Sequence, residues 1–193
     1  DANNNTNYGS GTLASNAGGT YCVAVGLNAL NKNTTGTQNT SVGNQTLENV
    51  TIGSYNTALG SQALRLTTTG SWNTAIGEGS MYNNTTGQYN VAVGNASLNK
   101  NTIGTNNTAV GYYALNSNTT GADSTAVGYQ ALQAQTTGYT NTAVGTVALG
   151  STTIGASNTA VGYGALYVNV TGNDNTAVGR EALRNNTAAA NTG

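Results

Sequence analysis

Glycine returns every 17 residues, at positions 9, 26, 43, 60, 77, 94, 111, 128, 145, 162 and 179, with no slipped register in a chain of 193 residues. Ten residues after each stands a second glycine, Gly19 through Gly172, in ten of the eleven units, and Ala189 takes its place in the last. The unit reads N-T-A-V-G-x-x-A-L-x-x-N-T-T-G-x-x. A strict period of this length marks a repeat architecture, in which each unit buries its apolar positions by stacking on its neighbours.

The unit does not read as a helix pair. It has no apolar stripe of period 3.6, and Thr, Asn and two fixed glycines fill most of it. β-Branched residues between glycines favour short strands ended by turns. Two extended segments are expected per unit: Asn-Thr-Ala-Val-Gly, as at Asn107 to Gly111, and a second from Ala114 and Leu115 towards Gly121. The fold class is therefore all-β, a parallel β-solenoid of 11 coils of 17 residues. Residues 1–193 form a single repeat domain with irregular capping coils at about 1–20 and 180–193. At a parallel strand spacing of about 4.8 Å the rod is about 50 Å long.

Composition excludes several functions. Asn (31), Thr (34) and Gly (27) together would suggest disorder, were it not for the period. Five basic and six acidic residues leave a net charge of −1, too little basic surface to hold a nucleic-acid backbone. With no His and one Cys, the chain cannot assemble a zinc site, a Cys-His pair or a Ser-His-Asp triad, so no metal, cofactor or catalytic residue is expected. A paired-carboxylate hydrolase is disfavoured because Glu78, Asp123, Asp174 and Glu181 are mostly dispersed along the coils. No run of about 18 apolar residues exists and no charged segment precedes an apolar stretch at the N-terminus. Neither membrane insertion nor a signal peptide is expected; if the chain is secreted, this is a mature form.

Stacking turns each column of the repeat into a ladder. Four residues before each first glycine stand Asn5, Cys22, Asn39, Asn56, Asn73, Asn90, Asn107, Ser124, Asn141, Asn158 and Asn175, whose amides suit an Asn ladder. Cys22 is read as a small substitute in it. The Val column (Val110 and its equivalents) and the Leu column (Leu115 and its equivalents) are expected to form the core, each preceded by a small residue. Apart from Asp1, every charge falls in a variable column, and the aromatics do the same except Tyr8. The Asn-Thr-Ala-Val-Gly segment carries no charge in any coil, although its side chains alternate between faces. Both faces are therefore expected to be buried, one of them against another copy. The Ala column, Ala58, Ala75, Ala109, Ala126, Ala143, Ala160 and Ala177, is the predicted subunit interface.

These strands, as at Asn73 to Gly77 and Asn141 to Gly145, resemble the Ser-Val-Ala-Ile-Gly strands in head domains of trimeric autotransporter adhesins. The full unit, such as Asn107 to Asp123, is similar to the tandem repeats of phage and bacterial tail-fibre proteins. The resemblance covers essentially the whole chain. It implies a left-handed parallel β-roll, three chains packed side by side, and a surface fibre that binds host matrix or cells. The unit here is longer than the usual head unit, and these 193 residues contain no pattern that reads as a heptad stalk, membrane anchor, trimerising neck or chaperone domain.

The function expected is that of a non-enzymatic extracellular structural or adhesive fibre. Its first partner is itself, as a homotrimer or else a head-to-tail filament, with a host surface protein or glycan as a further partner. Tyr21, Tyr55, Trp72 and Tyr89 in one column, and Tyr112, Tyr129 and Tyr163 in another, are candidate partner- or glycan-binding aromatics, set against simple packing between coils. The alternative function is ice binding by Thr ladders. It is disfavoured because the Thr column led by Thr6 and Thr40 shares a face with the Val column and is expected to be buried. Sequons at Asn33, Asn83, Asn84, Asn95, Asn118 and Asn169 are frequent enough to arise by chance.

Overall fold

The computed structural model describes residues 3–188 and 190. Asp1 and Ala189 lie outside them. Eleven three-residue strands, β1 (Thr6–Tyr8), β2 (Val23–Val25), β3 (Thr40–Val42), β4 (Thr57–Leu59), β5 (Thr74–Ile76), β6 (Val91–Val93), β7 (Thr108–Val110), β8 (Thr125–Val127), β9 (Thr142–Val144), β10 (Thr159–Val161) and β11 (Thr176–Val178), form one parallel sheet in chain order. Each pairs with the equivalent residues one unit away, as Thr108↔Thr125, Ala109↔Ala126 and Val110↔Val127. The described residues contain no helix. The chain is a β-solenoid with one repeat per coil.

Only the first of the two expected extended segments is a strand. The stretch through Ala114 and Leu115 is a run of turns, because the chain reverses direction at two left-handed residues, Tyr113 (φ 57°) and Leu115 (φ 51°). The same holds at every Leu or Met of that column, from Leu13 (φ 47°) to Leu183 (φ 47°). Left-handed backbone costs an L-residue about 1–2 kcal/mol. Burial offsets it: Leu30 through Leu166 are fully buried, and the N–H of each donates to the next coil, as Leu115 does to Ala131 O at 3.0 Å.

The first glycine of each unit is required by both conformation and space. Gly111 sits at φ 134°, and a Cβ there would meet the Gly128 carbonyl carbon at 2.7 Å. Turns and strands are joined across coils by backbone bonds, among them Gly111 N–H to Val93 O (2.7 Å) and Thr119 N–H to Thr136 O (2.9 Å).

The interior differs from expectation by one residue of strand parity. Leu is inside as expected, but the Ala side chains are inside too, at 0% exposure, while Thr and Val point outward. Val110 is half-buried, and Ile76, Val127 and Val178 are exposed. The reason is room: the inner residue of the strand faces Leu, a second small column and two Asn columns across one narrow coil, and only Ala or Ser fits. With a period of two, Asn107 and Ala109 inside place Thr108 and Val110 outside. The Val column is therefore not core, and the strand's outer face is open. Every described charged side chain stands outside the core, as its column predicts.

Candidate interaction surfaces

The Asn column forms a buried ladder. Asn56 donates its backbone N–H to Asn39 Oδ1 (3.0 Å) and its Nδ2 to Asn39 Oδ1 (3.1 Å) and Gly70 O (3.0 Å), and Asn73 repeats the pattern on Asn56 and Gly87. Cys22 takes a place in it. Its N–H donates to Asn5 Oδ1 at 2.8 Å, and its Sγ–H reaches Gly36 O at 3.5 Å, where neighbouring coils use an amide. Burial pushes this thiol above its ordinary pKa.

A second ladder, seven residues after the first glycine, was not singled out from sequence. Asn84, Asn101 and Asn118 are fully buried, with Nδ2 of Asn118 bonded to Asn101 Oδ1 (2.9 Å) and Gly121 O (2.9 Å). The N-T-T-G end of the unit was its signal. Where the first ladder shortens to Ser124, the second lengthens to Gln135 in the same coil. Gln135 Nε2 donates to Ser124 Oγ (3.2 Å), and its Oε1 accepts from Asn141 Nδ2 (2.8 Å). Ser41 and Thr46 similarly replace an Ala pair together, their hydroxyls 2.6 Å apart.

These ladders leave the predicted interface without an outward side chain. Ala58, Ala75, Ala109, Ala126, Ala143, Ala160 and Ala177 are wholly covered by their own chain, so a second chain cannot pack on them. Their lack of large residues reflects the narrow interior. The face that is open carries the Thr and Val columns.

The aromatic columns occupy corners of the coil. Tyr55, Trp72 and Tyr89 lie in left-handed backbone and stack on one another, with centroids 5.4 and 5.2 Å apart and planes within 12°. Tyr112 and Tyr129 stack at 5.6 Å, and Tyr112 also meets Tyr113. Desolvation, and after it the neighbouring Tyr113 and Tyr129 phenols, raises the Tyr112 pKa. Tyr163 lies under Arg180, 5.7 Å from its guanidinium carbon, and Tyr21 is exposed. Within each stack the ring faces cover each other, so the rings present edges along the rod and only the terminal faces stay free to stack on a sugar. Comparison with protein-family models, curated proteins and solved structures finds no match. The described residues hold no group of three or more His, Cys, Asp or Glu side chains that could hold a metal, and no cavity. No described helix is long and apolar enough to cross a membrane.

The two ends of the rod carry matching backbone groups. Gly26 N–H donates to Tyr8 O (2.8 Å) and Asn28 N–H to Ser10 O (2.9 Å), but the equivalent N–H groups of Gly9 and Gly11 have no partner among the described residues. At the other end the Val178 and Arg180 carbonyls, equivalents of Tyr8 and Ser10, accept from none of the described residues, and the Thr176 and Leu183 N–H groups donate to none of them. Four of the sequon residues named above, Asn33, Asn84, Asn118 and Asn169, are fully buried, whereas Asn95 is exposed and Asn83 partly so.

Proposed function

We infer that the chain is a non-enzymatic structural segment of an extracellular fibre whose rods join end to end. The observation that carries this reading is that every coil bonds to the next through the same backbone donors and acceptors in one 17-residue register, which lets coil stack on coil across a joint between copies. A second copy stacked on the first in the 17-residue register would set the Gly9 and Gly11 N–H groups against the Val178 and Arg180 carbonyls, continuing bonds that every internal coil makes. An open strand edge is a template for pairing unless it is blocked, and neither β1 nor β11 carries a charge or Pro. End-to-end joining stands ahead of a side-by-side trimer because the Ala columns assigned to that contact face inward. The resemblance to surface-fibre heads supports an extracellular location.

Sedimentation velocity with negative-stain imaging tests the reading. Rods longer than one chain's length of about 50 Å are expected, growing with concentration. Thr176→Pro, which removes one edge donor, is expected to shorten them to single units while the circular dichroism stays unchanged. A wild-type chain that remains a folded monomer at high concentration overturns the proposal.

A further inference from the structure

We propose that the outward Thr–Val face of the sheet adsorbs to ice. The reading is independent of end-to-end joining, which would only lengthen the face. It begins from the corrected parity of the strand. Thr108, Thr125 and Thr142 project from adjacent strands in register, as do Val110, Val127 and Val144, and their hydroxyls bond no group of the chain among the described residues. The other Thr ladder behaves oppositely: Thr102 Oγ1 donates to Thr119 O (3.0 Å) and Thr119 Oγ1 to Thr136 O (3.1 Å), so those hydroxyls are spent inside the fold.

The open face is a two-dimensional grid. Along the rod one hydroxyl recurs at the parallel strand spacing of about 4.8 Å, and across each strand Thr and Val lie two residues apart, about 6.6 Å. The first repeat lies close to that of oxygen atoms along an axis of hexagonal ice. β-Branched side chains have stiff χ1 rotamers, so the grid is ordered before any ligand arrives. The Asn ladder at the adjoining strand position is the kind of side-chain ladder that holds a many-stranded sheet flat.

The occupant is identified by what the grid lacks. From Val23 to Val178 its two columns contain no charge and no aromatic ring. Protein interfaces are anchored by Tyr, Trp and Arg, and here those residues stand in other columns. A crystalline polysaccharide would be met by a row of outward ring faces on the sheet, and the aromatic rings of this chain stand in other columns, five of them covering one another in stacks. What remains is a hydroxyl that both donates and accepts, set among methyl groups that compete for no hydrogen bond, repeated coil after coil. Liquid water rewards no such repetition. A lattice does, because many weak contacts made at once hold a rigid surface to it.

The test is thermal hysteresis and ice-crystal shaping by nanolitre osmometry on the intact chain. Two variants accompany it: Thr108→Tyr/Thr125→Tyr/Thr142→Tyr on the sheet face, and Thr86→Tyr/Thr120→Tyr/Thr137→Tyr on another exposed column. Circular dichroism confirms that each is folded, and Tyr is a good strand residue. Faceted crystals and a measurable freezing-point gap are expected for the wild type, with at least a several-fold loss for the first variant and near-full activity for the second. Folded wild-type protein without hysteresis overturns the proposal, as does equal loss in both variants. So does a first variant that only turns oligomers into monomers, which would make the face a contact between copies.

Discussion

The paired departure at Ser124 and Gln135 predicts a strong energetic coupling. Gln135→Asn removes the bond from Asn141 Nδ2 (2.8 Å) and the one to Ser124 Oγ (3.2 Å) and shortens a fully buried side chain by one methylene. At about 1 kcal/mol for each hydrogen bond and about 0.8 kcal/mol for the methylene, the cost is about 3 kcal/mol. Ser124→Asn alone pushes an amide into the space that the Gln135 amide fills, an overpacking worth about 1–3 kcal/mol. Together the two changes rebuild the Asn–Asn arrangement of the coils holding Asn90 with Asn101 and Asn107 with Asn118. The double variant is expected within about 1 kcal/mol of wild type, so the pair is coupled by about 3 kcal/mol or more, well above the ~0.5 kcal/mol that independent sites show. Urea unfolding followed by far-UV circular dichroism measures all four corners. Additive effects would refute the claim that the two ladders share one interior.

Parity of the strand is tested by neighbours of opposite fate: Ala109→Lys is expected to unfold the chain by burying an unpaired charge, at several kcal/mol, while Thr108→Lys changes stability by about 0.5 kcal/mol or less, both read as shifts in melting temperature. The Cys22 thiol is expected to resist labelling by a disulfide reagent until the chain unfolds. Because its folded pKa lies above the unfolded value of about 8.5, its contribution to stability is fully present below that value and is lost as pH rises above it. That loss is absent in Cys22→Ser, as melting curves from pH 8 to 10 will show. In a host that glycosylates secreted proteins, peptide mapping of the folded product is expected to find glycan at Asn95 and none at Asn33, Asn84, Asn118 or Asn169.

Coil number, strand position and register were legible in the sequence because a single 17-residue period carries all three. The Leu core and the first Asn ladder were legible for the same reason: a column that keeps nearly one chemistry has one environment. Which side of the strand faces inward was not. Ala and Val both recur with few replacements, and ordinary cores favour the larger residue; only the width of the coil decides that Ala109 fits inside and Val110 does not. The left-handed corner at Leu115 was hidden too, since Leu has no intrinsic liking for that conformation, and the cross-coil bond of its N–H imposes it. The interface assigned to the Ala columns failed with the parity on which it rested.

The uniform one-coil span of the contacts also decides how the rod would yield to force. Its side-chain bonds between coils link residues no more than 20 positions apart, so an end coil, held by one neighbour where an inner coil is held by two, is the first to peel. Each coil released would add about 17 extended residues, close to 60 Å of chain, and expose the next coil in the same geometry. Under load the rod should pay out as a reel does, in equal steps at nearly constant force, and rewind from whichever coil still holds its neighbour.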